Sequence, residues 1–276
     1  MITEPAPAKL NLALHVRARR PDGYHEIETL FAFCRDGDSV TLASAVADSF
    51  AVTGPFASSL GGERDNLVVR ARDAFAGAFG PLPPLAVTLD KRLPVASGIG
   101  GGSADAAAML RALATIRGVD RRDPVLARIA LDLGSDVPAC LAGTAAIGGG
   151  RGERLAPVAG LGNWPVLLVN PGVKVATGPV FAGWDRVDRG GLGQGGPVAL
   201  ALDGRNDLEQ PATAIAPVIA EILALLRGRP GVVLARMSGS GATCFALFDD
   251  DAARAAAYAA IAGARRDWWC LETMLA

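Results

Sequence analysis

The segment Pro94-Val-Ala-Ser-Gly-Ile-Gly-Gly-Gly-Ser103 places glycine at positions 98, 100, 101 and 102 and ends on a serine that leads into an Ala- and Leu-rich stretch. Glycines let a backbone turn sharply and bring its N–H groups against a ligand with no Cβ in the way. A helix that starts there adds N–H groups without intrahelical partners and a partial positive charge. The combination suits an anion, above all a polyphosphate; the alternative is an ordinary glycine-rich connection. The usual phosphate motifs do not describe it. No Lys follows the glycines as a P-loop requires, and Ser103 stands where a Rossmann fingerprint needs its last glycine. That fingerprint does occur at Gly191-Leu-Gly-Gln-Gly-Gly196, but no strand leads in and Pro197 follows, so it reads as a loop.

Other residues of chemical interest are few. Among 27 basic residues only Lys9, Lys91 and Lys174 are lysines; each either marks a position that suits a compact ammonium rather than a planar fork or reflects chance use. Lys9 and Asn11 share the polar face of a strand, either as a solvated edge or as an active-site floor offsetting charge on a transferred phosphoryl group. Asp136, between Gly134 and Pro138, is either a helix N-cap or a partly buried carboxylate that accepts a hydroxyl proton. Tyr24 and His25 follow the turn signal Asp22-Gly23; they are hairpin residues or a ring pair that stacks on a base and hydrogen-bonds to it. Met237-Ser-Gly-Ser-Gly-Ala-Thr243 is a tight connection or a second backbone wall against phosphate or substrate.

The elements that must hold these residues alternate irregularly. Strands are expected at residues 9–16, 25–34, 39–45, 50–53 and 85–94, with Leu10, Leu12, Leu14 and Val16 on one face of the first and Lys9, Asn11 and His15 on the other. Asp65 is expected to cap a helix over 66–79, and Ser103 one that runs to a Gly118 stop. A further helix covers 124–133, and a short turn after Asp136 leads to a strand at 144–147. A new unit begins near residue 152, with strands at 153–158, 165–170, 231–237, 243–248 and 268–274 and helices at 212–227 and 252–262. Strands with interspersed helices and no βαβα alternation argue an α+β fold in two domains, residues 1–151 and 152–276.

Composition sets the remaining bounds. The 276 residues are half hydrophobic, yet charges interrupt every apolar run well short of a membrane span. A net charge of −1 gives no field favouring nucleic acid or anionic lipid. The N-terminal Met1-Ile-Thr-Glu-Pro lacks the basic and apolar regions of a secretion signal. Cys34, Cys140, Cys244 and Cys270 are scattered in apolar settings without metal-ligand spacing, as expected of buried free thiols in a reducing cytoplasm.

Taken in order, Pro7-Ala-Lys-Leu-Asn-Leu12, Leu93-Pro94 with Gly98-Ile-Gly-Gly-Gly-Ser103, and Ser238-Gly-Ser-Gly-Ala242 resemble the three signature segments of the GHMP kinase superfamily (galacto-, homoserine, mevalonate and phosphomevalonate kinases). Arg20-Pro-Asp-Gly-Tyr-His25, Thr29-Leu-Phe31, Asp65-Asn-Leu67, Leu133-Gly-Ser-Asp-Val-Pro138, Asn170-Pro-Gly172 and Asn206-Asp-Leu-Glu209 resemble one branch of it. That branch phosphorylates a cytidine-diphosphate derivative of methylerythritol in the non-mevalonate route to isoprenoids. The resemblance covers almost the whole chain. It implies a two-domain GHMP kinase fold, with an N-terminal domain like the second domain of ribosomal protein S5 and a ferredoxin-like C-terminal domain.

The resemblance also implies roles. Asp136 is the catalytic base and Lys9 its partner near the reacting hydroxyl. ATP meets Asn66, Pro94, Gly98, Ile99, Gly100, Gly101, Gly102 and Ser103. The substrate meets Asn11, Gly239 and Ser240, with its cytosine sandwiched by Tyr24 and Phe181 and read by His25. The cofactors are ATP and Mg²⁺, with no residue assigned as a metal ligand. The partner is a small molecule bearing a cytidine diphosphate group, not nucleic acid or membrane, for a cytoplasmic monomer or weak homodimer. Ala104 stands where a second Ser is common. Asp105 replaces a frequent Asn and sets a negative charge in the first turn of the phosphate-binding helix, which Mg²⁺ or an outward-pointing side chain must relieve. Two rivals remain. A kinase for mevalonate or homoserine would have no base for Tyr24 and His25 to read, and a non-catalytic ligand sensor would have no use for both Lys9 and Asp136.

Overall fold

Glycine at position 37 shows how far local signals and the folded chain diverge. Separate strands are expected at residues 25–34 and 39–45, but in the computed structural model, which describes residues 1–60 and 66–276, one strand, β2 (His25–Ser44), runs through Asp36-Gly37. A Cβ on Gly37 would lie 2.6 Å from Cα of Pro7. The glycine serves close approach to β1 (Ile2–Arg19), not a change of direction.

The chain divides into two compact units that interleave in sequence. Met1–Ala8, Asp36–Val95 and Gly100–Gly143 form the first, and Lys9–Arg35, Ala96–Ile99 and Thr144–Ala276 the second. The two units do not meet at any single position of the linear chain.

In the first unit, β3 (Ser49–Thr53) pairs parallel with β4 (Leu85–Asp90), and β4 pairs antiparallel with residues 39–44 of β2. Four helices accompany them: α1 (Leu67–Phe79), α2 (Gly101–Arg117), α3 (Pro124–Leu133) and α4 (Val137–Ala142). Every residue of α2 from Ala104 to Ala114 is buried. Its alanines let α1, α3 and α4 pack close on several sides, so the helix is central and lacks a polar face. Its one buried arginine is matched: Arg111 Nε donates to Glu4 at 3.0 Å and Nη1 to the Cys140 carbonyl at 2.8 Å.

Capping departs from expectation in two places. Asp65 lies outside the described residues, and Asn66 caps α1, its side chain accepting from Val68 N at 2.9 Å. The cap of α2 is Gly100, in the left-handed region, so the helix starts before Ser103 and Asp105 falls in its second turn. Gly118 ends α2 with φ +65°, as expected.

In the second unit, residues 27–31 of β2 pair with β5 (Ala146–Gly150), and β5 with β6 (Arg154–Pro157). A separate antiparallel sheet has the order β10-β7-β9-β8, from β7 (Pro165–Asn170), β8 (Val232–Met237), β9 (Cys244–Phe248) and β10 (Trp269–Met274). With α8 (Val218–Arg227) and α9 (Asp251–Ala264) packed on it, this is the split βαβ arrangement of ferredoxin-like folds.

The helix expected over 212–227 is two, α7 (Glu209–Ile215) and α8, because Pro217 has no N–H and biases Ala216 out of helical geometry. Two short helices escaped the periodicity reading: α5 (Thr177–Ala182) and α6 (Pro197–Asp203). Each has only six or seven residues, too few for a helical stripe to show. Cys34, Cys140 and Cys244 are buried and form no disulfide, whereas Cys270 is only half-buried, because it lies on an edge strand of its sheet.

Candidate active site

The first strand does not carry a solvated edge. Lys9 and Asn11 are each 2 % exposed, and β1 is buried on both faces from Ala8 to Val16. Polar groups tolerate that burial because each has a partner. Lys9 Nζ donates to Asn11 Oδ1 at 2.8 Å and lies 5.2 Å from the centre of the Phe31 ring. Asn11 Nδ2 donates to Thr29 Oγ1 at 2.7 Å, and Thr29 donates to the Ala13 carbonyl at 2.7 Å. The chain of bonds fixes the amide of Asn11, which in turn aims the ammonium.

The same unit holds residues 96–99 against the connection after β8. Lys9 N donates to the Ile99 carbonyl at 2.9 Å and Thr243 N to the Ser97 carbonyl at 3.1 Å. Ser238 Oγ accepts from Asn11 N at 3.2 Å and donates to the Gly98 carbonyl at 3.0 Å. Asn206 Nδ2 donates to the carbonyls of Met237 and Gly239, both at 2.8 Å. Ser240 Oγ is 3.0 Å from Thr177 Oγ1. The two glycine-rich stretches thus brace one another through the backbone.

Gly98 has φ +78°, and a Cβ there would lie 2.6 Å from the carbonyl oxygens of Gly241 and Ser238. Gly98→Ala is expected to cost at least about 1–2 kcal/mol from the backbone alone, lowering Tm by roughly 2–8 °C. Thermal denaturation of the purified variant checks this; an unchanged Tm would show that this packing is absent in solution.

In the first unit, Gly100, Gly101, Gly102 and Ser103 form the cap and first turn of the seventeen-residue α2, where N–H groups have no preceding helical carbonyl. Ala104 is buried, so its side chain would meet no ligand. The side chain of Asp105 does not point outward. It is 3 % exposed and paired with Lys91, whose Nζ donates to Asp105 Oδ2 at 2.7 Å and to Asp38 Oδ2 at 2.5 Å. Asp136 occupies the N-cap position of α4, partly buried, but its carboxylate accepts no bond from that helix. The capping role therefore does not explain it.

In the second unit, His25 packs directly on Phe181, with ring centroids 5.0 Å apart and 34° between planes. Trp184 meets His25 edge-on at 5.8 Å. Tyr24 is 52 % exposed, and its ring lies 4.6 Å from the Arg151 guanidinium. Burial, and then the charge of Arg19, hold the His25 imidazole below its usual range, so it is neutral at pH 7. His15, on β1, is fixed elsewhere: Nδ1 is 3.2 Å from the Gly190 carbonyl and Nε2 accepts from Arg205 N at 3.1 Å.

Sequence reasoning did not single out Thr29, Ser238 and Asn206 as functional, though each sits in a motif it quoted. Arg151 and Trp184 gave no local signal, since only the folded chain sets them beside Tyr24 and His25.

Residues 66–144 match the family described as GHMP kinases N terminal domain, and residues 193–265 that described as GHMP kinases C terminal. The 4-diphosphocytidyl-2-C-methyl-D-erythritol kinase of Rhizorhabdus wittichii is 56 % identical over 277 residues, spanning 99 % of this chain and 94 % of that protein. That of Sphingopyxis alaskensis is 54 % identical over 274 residues, spanning 97 % and 96 %. A crystal structure of 4-(cytidine 5'-diphospho)-2C-methyl-D-erythritol kinase matches all of both chains with TM-score 0.82 at 34 % identity. Homoserine kinase from Cytophaga hutchinsonii, at 16 % identity and TM-score 0.73 over 100 % of this chain and 94 % of that one, shares the fold.

Proposed function

Because the chain belongs to the 4-diphosphocytidyl-2-C-methyl-D-erythritol kinase family of the GHMP kinases, we infer that it transfers the γ-phosphoryl group of ATP to the 2-hydroxyl of that substrate, in the non-mevalonate route to isoprenoid precursors. The observation that carries this is the 56 % identity across 99 % of the chain. The other GHMP kinase activities, on mevalonate or homoserine, have only a shared fold in their favour.

Asp136 takes the hydroxyl proton as its oxygen attacks the γ-phosphorus in line. The Lys9 ammonium, aimed by Asn11, offsets charge on the phosphoryl oxygens. The backbone of residues 98–103 receives the ATP phosphates, with Pro94 and Asn66 at the nucleotide. Asn11, Gly239 and Ser240 face the substrate. The cytosine is held by Tyr24 and Phe181 and read by the neutral imidazole of His25. Mg²⁺, when bound, neutralises charge on the phosphates. Among the described residues no three His, Cys, Asp or Glu side chains converge as ligands. No described helix is long and apolar enough to cross a membrane.

Turnover of MgATP with the cytidine-diphosphate substrate, set against mevalonate and homoserine, tests the assignment; preference for either of the latter overturns it. Within that assay Tyr24→Ala should weaken the cytidine substrate roughly ten- to hundred-fold, the value of about 1–3 kcal/mol for one aromatic platform. ATP affinity should hardly change. His25→Ala should also erode discrimination against the uridine analogue, whose edge offers a different donor and acceptor pattern. Variants that bind the cytidine substrate like the parent would refute base reading by this segment.

A further inference from the structure

Three ionisable groups from separate parts of the first unit are sealed beneath the start of α2. Lys91 is 1 %, Asp38 3 % and Asp105 3 % exposed. The Lys91 ammonium bridges both carboxylates, and Asp38 Oδ1 accepts from the backbone N–H of Arg92, at 2.5 Å, and of Leu93, at 2.8 Å. A Cβ on Gly101 would lie 3.0 Å from Lys91 Nζ and 3.6 Å from Asp38 Oδ2, so the cluster touches the first helical residue from below. Asp105 Oδ1 is buried with no hydrogen-bond partner. Buried ion pairs rarely stabilise a fold better than apolar residues would, so so large a burial of charge in one place calls for another reason.

We propose that Asp38, Lys91 and Asp105 are positioning residues for the nucleotide: a buried brace that fixes the first turn of α2 and carries one proton on its carboxylates when the phosphates dock. The inference rests on the reading of residues 98–103 as the nucleotide loop. Two carboxylates and one ammonium sum to −1, the wrong sign beneath a polyphosphate, and one added proton makes the cluster neutral. Burial pushes the Asp105 carboxyl up, the Lys91 charge pulls it down and the Asp38 charge pushes it up again, to about 7. Burial opposes the Lys91 charge, but the two carboxylates outweigh it and hold the ammonium above its usual range. From α1, α3 and α4, which pack on α2, the buried residues are apolar: Val68, Ala71 and Phe75; Leu126, Ile129 and Ala130; Val137, Ala139 and Cys140. Linkage then requires that proton uptake favour nucleotide binding and the reverse by the same factor.

The test is MgADP affinity of the intact protein against pH, for the parent and for Asp105→Asn, which keeps the shape with no charge. Protonation of the nucleotide itself cancels in the ratio. The two should bind alike near about pH 6, and the variant about three- to tenfold tighter near about pH 8.5, where the parent cluster has lost its proton. Lys91→Met should weaken MgADP at least about tenfold while leaving CDP affinity unchanged, a split that general unfolding would not produce. Parallel pH profiles for parent and Asp105→Asn overturn the proposal, and that comparison decides the matter if Lys91→Met does not fold. A parent that binds no MgADP at any pH refutes the nucleotide reading instead.

Discussion

Asp136→Asn is expected to lower kcat by about 10²–10⁴-fold, the usual effect of losing a general base, with Tm and ATP affinity close to those of the parent. The expectation of an intact fold is structural. Asp136 stands at the N-cap position of α4, yet its side chain accepts no bond from that helix, so no capping energy is lost. Pro138 at the start of the helix and the Cys140 N–H bond to the Asp136 carbonyl, at 3.1 Å, both involve backbone that Asn keeps. Single-turnover phosphoryl transfer, with circular dichroism of the same sample, separates chemistry from folding. Parent-like turnover in the folded variant would return Asp136 to a purely local role.

Lys9 should be nearly as intolerant. Lys9→Met and Lys9→Ala are each expected to cost about 10²–10³ in kcat, as removal of one preorganised charge-stabilising donor does. Lys9→Arg should fail almost as badly, although it preserves the charge. The side chain is 2 % exposed, held at 2.8 Å from Asn11 Oδ1 and 5.2 Å from the Phe31 ring centre, and a planar fork overfills that space. Lys9→Met removes a buried charge at similar length but leaves Asn11 Oδ1 buried without its donor, so its Tm should fall modestly. Steady-state kinetics with thermal melts of all three variants make the measurement. If Lys9→Arg keeps most of the activity, Lys9 supplies only a diffuse positive field and the aimed ammonium is wrong.

The sequence by itself determined what local free energies decide. Periodicity and turn chemistry placed most strands and the longer helices, since apolar period and Gly, Pro or Asp punctuation act within a few residues. The glycine loop before α2, the Gly118 stop and the ordered family segments were legible for the same reason. Asn66 and Gly100 displaced the expected caps by one to three residues, a difference that depends on which N–H groups the packed helix leaves to be satisfied. Tertiary structure alone decided whether a polar residue meets water. The polar face of β1 was readable, but its burial was not, because the partners of Lys9 and Asn11 include Thr29 on a different strand. Asp38 and Lys91 lie 53 residues apart in sequence, and Lys91 and Asp105 14 apart. No window shorter than those separations contains the pairs. An ammonium becomes a brace only when the chain returns to seal it from water, and that desolvation is a property of the packed whole rather than of any segment.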